Sequence, residues 1–499
     1  MNYHLAETKQ LERTTLFLYG DEVAAKMLPL KKDEIAYLDA CRQKNRDSLV
    51  QLHRFNATKE HYSLWIVNYN SELEGSLVNE KLRRAAATLM DKLAEEQSND
   101  IAISGAGMLT EELIAFVEGL TFANYKYDKY KTKKGFHIEN IVIDERFLKL
   151  EDLHRNMVLW KHIEQCRNWV NEPVMYLNAD KLAQQIKAVA EPLGVKVTIY
   201  EQKQIASMKM GGLLAVNRGS VDEARFVVLE YHPADSVNDQ PVALVGKGIT
   251  YDTGGLNIKP EDYMQEMKSD MAGAATMAST LLAAAENHLP VYLMAFLPMT
   301  DNRPGFNAYA ADDILQMYDG TSVEVVNTDA EGRLILADAI AFSNQFNPEL
   351  IIDAATLTGA AVRAIGTCGI AAMQQEAANP MHLLKLVGDQ VYERIVEFPF
   401  WPEYDELIKS EVADIRNCGT VPQAGAITAG KFLAHFAKHP YIHLDIAGVA
   451  YYGKKESFYG VGASGYGVRL LYAFFQTYDL TKRKQEKKTN KKKTINNGK

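Results

Sequence analysis

The sequence predicts a two-domain α/β protein: a smaller N-terminal α/β domain and a larger C-terminal α/β domain with a mixed, largely parallel central sheet. Three observations carry that expectation. Beyond residue 174, apolar runs of strand length alternate with helical stretches, the pattern of an α/β sheet covered by helices. Before residue 150 the two kinds of run also mix, with no chemistry standing out among them. Between the two regions, "LHRNMVLWKHIEQCRNWVNEP" spaces its apolar residues as a helix does and stops at Pro173.

In residues 1–152, "YSLWIVNYN" reads as a strand and "SLVNEKLRRAAATLMDKLAEEQ" as a helix. Residues 153–173 form the linking helix. In residues 174–480 the strand candidates are "RFVVLEYH", "PVALVGKG", "VYLMAFLPM", "SVEVVNT", "LIIDAATL" and "YIHLDIA", with helical stretches at 270–286, 333–346 and 426–438. Charged motifs follow "VALV", "VEVV" and "IIDAATL", at the carboxyl ends of strands, where open α/β sheets gather their sites. No repeat at solenoid periods is present. Residues 481–499 read as a basic, disordered tail.

With 499 residues, 47% hydrophobic and 24% charged, the composition excludes a disordered or fibrous protein. The net charge of −9 hides an asymmetry: from Lys482 the chain ends "KRKQEKKTNKKKTINNGK", nine Lys/Arg against one Glu, so the tail carries +8 and the remainder −17. That tail is a solvated extension whose candidate partner is nucleic acid or another anionic surface. The start, "MNYHLAETKQLERTTLFLYG", lacks the pattern of a secretory signal, and "MAGAATMASTLLAAA" is shorter than the ~20 residues of a membrane helix. Cys41, Cys166, Cys368 and Cys418 form neither a CxxC pair nor a disulfide framework. A reduced, cytoplasmic protein without a membrane partner is expected.

Chemistry concentrates in two clusters. "VGKGITYDTGGLNIKPEDYMQEMKSDMAGAA" holds Lys247, Asp252, Lys259 and Asp270; "NTDAEGRL" holds Asp329, Glu331 and Arg333. Singly, Asp252 reads as a turn residue, Asp270 as an acid at a helix N-terminus and Arg333 as a surface ion-pair partner. As a set, four carboxylates on one rim repel and lose hydration unless cations compensate. Two divalent ions would balance them and leave Lys259 and Arg333 as excess positive charge, suited to an oxyanion or a small bound acid. Oxygen ligands fit zinc, manganese, magnesium or cobalt, and an amine ligand favours the transition metals. Other motifs fail: Tyr251 stands where a dinucleotide fingerprint needs its third glycine, and the P-loop, EF-hand and "GxSxG" patterns are not met.

The octapeptide "NTDAEGRL", with "VEGLTFANYKYDKYK", "VGKGITYDTGG", "MKSDMAGAA", "DAATLTGAAVRAIG", "GAITAGKFL", "HLDIAGVA" and "GASGYGVRLL" in order, resembles the leucyl aminopeptidase (cytosol aminopeptidase) family from about residue 100 to residue 475. The resemblance implies that 174–480 is a catalytic metallopeptidase domain and that residues 1–152 serve assembly, in a homohexamer. It implies an enzyme that removes the N-terminal residue, Leu and other apolar residues preferred, from peptides with a free α-amino group, using water activated by two metals. By the family pattern Lys247, Asp252, Asp270, Asp329 and Glu331 hold the metals, zinc or manganese foremost, with cobalt or magnesium as alternatives. Asp252 and Glu331 would bridge them. Lys259 would stabilise the oxyanion, and Arg333 would hold a bicarbonate that accepts a proton. Met267, Asn327, Thr356, Leu357, Gly359 and Ala450 match positions lining the pocket for the first side chain. A lysine ligand must be neutral, which from the ordinary lysine pKa of ~10.4 costs roughly 4–5 kcal/mol at pH 7.

One loop departs from the pattern. Many relatives read "NMPGGRAYRPGD" where residues 302–313 read "NRPGFNAYAADD", with Phe306 in place of a glycine and Asn307 in place of an arginine. A changed loop shape is expected there.

Overall fold

The computed structural model describes residues 1–6, 14–19, 30–44, 49–55, 61–68, 75–105, 108–419 and 421–478. The basic tail expected at 481–499 lies outside the described residues. The chain divides into two compact units, one of residues 1–160 with 454–461, the other of residues 161–453 with 462–499.

The first unit carries a six-stranded sheet in the order Asn2–Ala6, Asn140–Asp144, Asp100–Gly105, Thr14–Tyr19, His61–Asn68, Leu49–Phe55. All pairs are parallel except the last. Two helices, Ser76–Glu95 and Thr110–Asn124, approach so closely that a Cβ on Gly119 would lie 2.5 Å from the Arg83 carbonyl oxygen. The segment expected to link the domains lies in the helix Leu150–Asn171.

The larger unit is built on a nine-stranded sheet. Its strands, numbered within this unit, are β1 Lys196–Glu201, β2 Arg225–Tyr231, β3 Val242–Gly246, β4 Gly248–Asp252, β5 Leu293–Asn302, β6 Leu350–Ala355, β7 Ile370–Gln375, β8 Ile395–Glu397 and β9 Tyr441–Asp445. They lie in the order β8-β7-β9-β6-β3-β5-β2-β1, with β4 paired to β5. The pairs β8/β7, β9/β6, β6/β3, β3/β5 and β4/β5 are parallel, and β7/β9, β5/β2 and β2/β1 antiparallel. The sheet is therefore mixed and largely parallel. β3, β5 and β6 are buried along their whole length, as strands covered on both faces must be, which explains why apolar residues dominate them, with Asp353 in β6 and the end of β5 at Thr300–Asn302 as the polar exceptions.

Helices α1 Ala272–Glu286, α2 Glu331–Ser343, α3 Gly359–Ile365 and α4 Gly425–Ala434 accompany this sheet. Small residues bring α1 down onto the strands: a Cβ on Gly273 would lie 2.1 Å from the Ala354 carbonyl oxygen and 2.8 Å from the Lys247 nitrogen. The "SVEVVNT" run behaves differently from its neighbours. Only Ser322–Glu324 is strand, and it belongs to a separate three-stranded sheet. Side-chain bonds explain the early end, because Asn417 Oδ1 accepts from the Val326 nitrogen at 2.7 Å and takes the place of a ladder partner. No helix among the described residues is long and apolar enough to cross a membrane.

In the atypical loop, Phe306 is fully exposed and does not have a positive φ, so its side chain brings no backbone strain of the kind glycine relieves. Asn307 Oδ1 accepts a hydrogen bond from Arg218 Nη2 at 2.9 Å.

Candidate active site

The two charged clusters meet beside β3, β4 and the start of α2. Lys247 follows β3 directly and is held by its backbone, donating to the Ala354 oxygen at 3.1 Å and accepting from the Ala274 nitrogen at 2.7 Å. Asp252 ends β4, whose register with β5 shifts between Ile249 and Asp252. Such irregularities re-aim a side chain at a strand end. A turn with Gly254 at φ 86° and Gly255 at φ 66° then brings the chain back, and a Cβ on Gly254 would lie 2.8 Å from Asp329 Oδ1. Asp270 follows the 3-10 turn Met267–Ser269. Glu331 and Arg333 occupy the first turn of α2, where the exposed N–H groups favour the acid.

The side chains interlock. Lys247 Nζ lies 2.8 Å from Asp270 Oδ2 and 3.0 Å from Glu331 Oε1, and it donates to the Thr356 oxygen at 2.9 Å. Lys259 Nζ lies 2.7 Å from Asp252 Oδ2 and 2.6 Å from Asp329 Oδ1. Asp252, Asp329 and Glu331 each offer an oxygen within 4.8 Å of the others, a set that can hold a metal ion. Glu331 Oε2 is buried with no hydrogen-bond partner, and Asp270 Oδ2 and Asp329 Oδ1 meet their lysines only as ion pairs.

The electrostatics match this shortage of partners. Burial pulls Lys247 down, but Asp270, Glu331 and Asp252 outweigh it and hold the ammonium above its ordinary range. Lys259 is raised likewise, with burial opposed by Asp252, Glu331 and Asp329. Burial, together with the charge of Asp252, also raises Glu331, Asp270 and Asp329, against the pull of the lysines. Lysines and acids shift the same way for two reasons: burial disfavours the charged carboxylates, and four carboxylates facing two ammonium groups hold the lysine protons against burial. The donor set therefore fits divalent cations, which would relieve this excess of negative charge more fully.

Arg333 is buried, donates from Nη1 to the Asn417 oxygen at 2.7 Å, and keeps a buried Nε without a partner. Burial pushes its pKa down. An unmatched guanidinium donor beside the carboxylates is suited to a small anion.

Of the six expected pocket residues, three touch this network. The Thr356 hydroxyl donates to Asp270 Oδ1 at 2.7 Å, Asn327 Oδ1 accepts from the Asp329 nitrogen at 2.8 Å, and the Met267 oxygen accepts from the Asp270 nitrogen at 3.3 Å. Leu357 lies on the loop after β6, where it also packs on the hydrophobic core, and Gly359 is the first residue of α3. Ala450 lies on the loop after β9. The structure adds residues that charge patterning missed. Asn302 Nδ2 donates to Asp252 Oδ1 at 2.8 Å, and Asn417 supports both Arg333 and, through Nδ2, the Asn327 oxygen at 2.7 Å.

The catalytic-domain profile of the cytosol aminopeptidase family matches residues 164–472, and the N-terminal-domain profile of the same family matches residues 73–134. A probable cytosol aminopeptidase of Geobacter sulfurreducens is 36% identical over 413 residues, covering 81% of this chain and 83% of that protein. One of Chlorobaculum tepidum is 41% identical over 380 residues, covering 72% and 74%. Among solved structures, the bottromycin maturation enzyme BotP in complex with Mn superposes with a TM-score of 0.82 at 26% identity, covering 94% of this chain and all of that one. The chain thus belongs to the cytosol aminopeptidase family, and is a peptidase of its metal-dependent aminopeptidase class.

Proposed function

We propose that this enzyme removes the N-terminal residue, Leu and other apolar residues preferred, from peptides with a free α-amino group, with two divalent cations at the centre described above. The observation that carries the proposal is the set of four carboxylates, three of them buried and Asp329 half-buried, gathered with Lys247 and short of partners, above all the orphaned Glu331 Oε2. Lys247, Asp252, Asp270, Asp329 and Glu331 would hold the ions, Asp252 and Glu331 shared between them. Lys247 and Asp270 would complete the tighter site, and Asp329 would belong to the more exchangeable one. Bound there, zinc or manganese, with cobalt or magnesium as alternatives, would supply Lewis acidity to the attacking water and the scissile carbonyl.

The chain's own groups supply the rest. Lys247 would serve as a ligand in its neutral form, its proton released to solvent. Lys259, freed from its pairing with Asp252 and Asp329, turns its charge to the oxyanion that develops on the carbonyl oxygen. Arg333, with its unpaired Nε, would hold a bicarbonate, which would supply a proton acceptor for the attacking water. Met267, Asn327, Thr356, Leu357, Gly359 and Ala450 line the pocket for the first side chain.

Hydrolysis of Leu-Gly-Gly and its N-acetylated form after loading with manganese, zinc or cobalt tests the reading, with Glu331→Ala in parallel. Leucine released from the free peptide alone, and lost in the variant, is expected. Equal cleavage of the blocked peptide would sink it.

Assembly as a cytoplasmic homohexamer, with residues 1–152 as the assembly domain, 153–173 as the linker and 174–480 as the catalytic domain, completes the proposal. A monomeric mass by light scattering would refute the hexamer. The basic tail motivates a second activity, nucleic-acid binding. It requires steeply salt-dependent DNA binding that disappears when residues 482–499 are deleted.

A further inference from the structure

Asp445, the last residue of β9, is 1% exposed and has no place in the chemistry above. Its carboxylate accepts three hydrogen bonds. Oδ1 takes the N–H groups of Leu357 and Ala447, each at 3.2 Å, and Oδ2 takes the Thr358 hydroxyl at 2.7 Å. Leu357 and Thr358 belong to the loop that leaves β6, and Ala447 to the loop that leaves β9. The two strands are parallel neighbours with Ala355 opposite Asp445. One carboxylate therefore ties two loops together where they leave the sheet.

The tie extends outward on both sides. Thr358 Oγ1 also accepts from the Ala361 nitrogen at 3.0 Å, capping α3, so the direction of α3 is carried to Asp445 through one hydroxyl. On the other side, the Ala450 nitrogen donates to the Ile446 oxygen at 3.0 Å, closing the turn that begins at Asp445. The loops also touch directly, since a Cβ on Gly448 would lie 2.2 Å from the Gly366 oxygen at the end of α3. Burial raises the Asp445 carboxyl, and the charge of His443, itself 2.8 Å from Asp353, opposes that rise together with the three donors.

We propose that Asp445 is a positioning residue for specificity: by fixing the loop of Leu357, with the start of α3 at Gly359, to the loop of Ala450, it sets the width of the pocket for the first side chain. This rests on the pocket assignment made under the proposed function. A leucine side chain that fills the pocket depends on that width, whereas an alanine side chain does not.

The test compares Leu-Gly with Ala-Gly as substrates of the full-length, metal-loaded enzyme. Thr358→Val cuts the Oδ2 tie and keeps a β-branched side chain in extended backbone, at φ −137° and ψ 134°. Asp445→Asn is the conservative rescue, because its amide oxygen still accepts the two N–H groups and its NH₂ can donate to Thr358. Thr358→Val is expected to lower the ratio of kcat/KM for Leu-Gly over Ala-Gly by about fivefold or more, within the range that one or two methylenes command. The loss should lie in KM for Leu-Gly, with kcat for Ala-Gly and metal content retained, and Asp445→Asn should stay near the wild-type ratio. Hydrogen exchange should quicken jointly at residues 356–362 and 446–450 in Thr358→Val, a readout that needs no activity. An unmoved ratio in an enzyme whose wild type is active, or an equal fall for both substrates, would overturn the inference. A wild type that cleaves neither peptide would instead overturn the assignment beneath it.

Discussion

Gly332→Ala sets one methyl group against the lysine of the candidate metal centre. A Cβ there would lie 2.4 Å from Lys247 Cε and 2.7 Å from its Cδ and Nζ. Carbon atoms are comfortable at about 3.5–4.0 Å, so the lysine must retreat by about 1 Å. Gly332 is not in the left-handed region and lies in a helix, so the backbone accepts alanine with a propensity gain of about 0.5–1 kcal/mol. That gain partly offsets an overpacking cost of about 1–3 kcal/mol, and the obstructing atoms are the far end of a flexible side chain. The fold should therefore survive with at most about 2.5 kcal/mol lost. The site should not. Nζ holds contacts of 2.8, 3.0 and 2.9 Å to Asp270, Glu331 and the Thr356 oxygen, and a retreat of about 1 Å breaks that geometry. A misplacement of this size costs about 10²-fold in rate. Thermal melting, metal content per chain and Leu-Gly-Gly hydrolysis measured together are expected to show a nearly unchanged melt, weakened metal binding and a loss of about 100-fold in kcat/KM. A variant with full metal content and activity within about threefold of wild type would refute the reasoning.

Three further outcomes are expected. Adding manganese or zinc to metal-free protein should raise its stability by about 3–4 kcal/mol at 100–1,000 times the dissociation constant, and much less in Glu331→Gln; equal stabilisation of both proteins in denaturant titrations would contradict the site. Arg333→Ala should lower kcat by about 10²-fold or more while metal content is kept, and should abolish any stimulation of the wild type by bicarbonate; stimulation that persists in the variant would detach Arg333 from the anion. Burial pushes Asp338 up to about 7, although it accepts from the Leu213 and Tyr318 nitrogens. Because the folded state then holds this proton more tightly than the unfolded chain, its stabilising share is lost as pH rises from about 4 to 7. The unfolding free energy of wild type minus Asp338→Asn should accordingly shrink by roughly 2–3 kcal/mol between pH 5 and 8, at ~1.36 kcal/mol per unit. A constant difference would show that Asp338 titrates normally.

The α/β class and the family were legible in the sequence because both rest on local patterns. Strand-length apolar runs such as "VALV" and "LIIDAA" follow from burial on both sheet faces, and the acids and lysines of "NTDAEGRL" and "VGKGITYD" announce themselves by charge within a few residues. "SVEVVNT" shows the limit of that reading. Its residues have strand character, yet the side chain that takes the place of a ladder partner, Asn417, comes from elsewhere in the chain.

The sequence by itself determined which chemical groups are present, where strands and helices alternate, and that four carboxylates need positive charge nearby. Only the tertiary structure decided which oxygen is left without a partner, which lysine sits between which acids, and which neutral side chains support them. Asn302 reaches Asp252 across 50 residues, Asn417 reaches Arg333 across 84, and Asp445 reaches Leu357 across 88. The physical reason is that periodicity and charge density are properties of neighbouring residues, whereas a hydrogen bond from a neutral amide leaves no trace in the chain around it. Such bonds exist only once the fold has brought distant segments side by side.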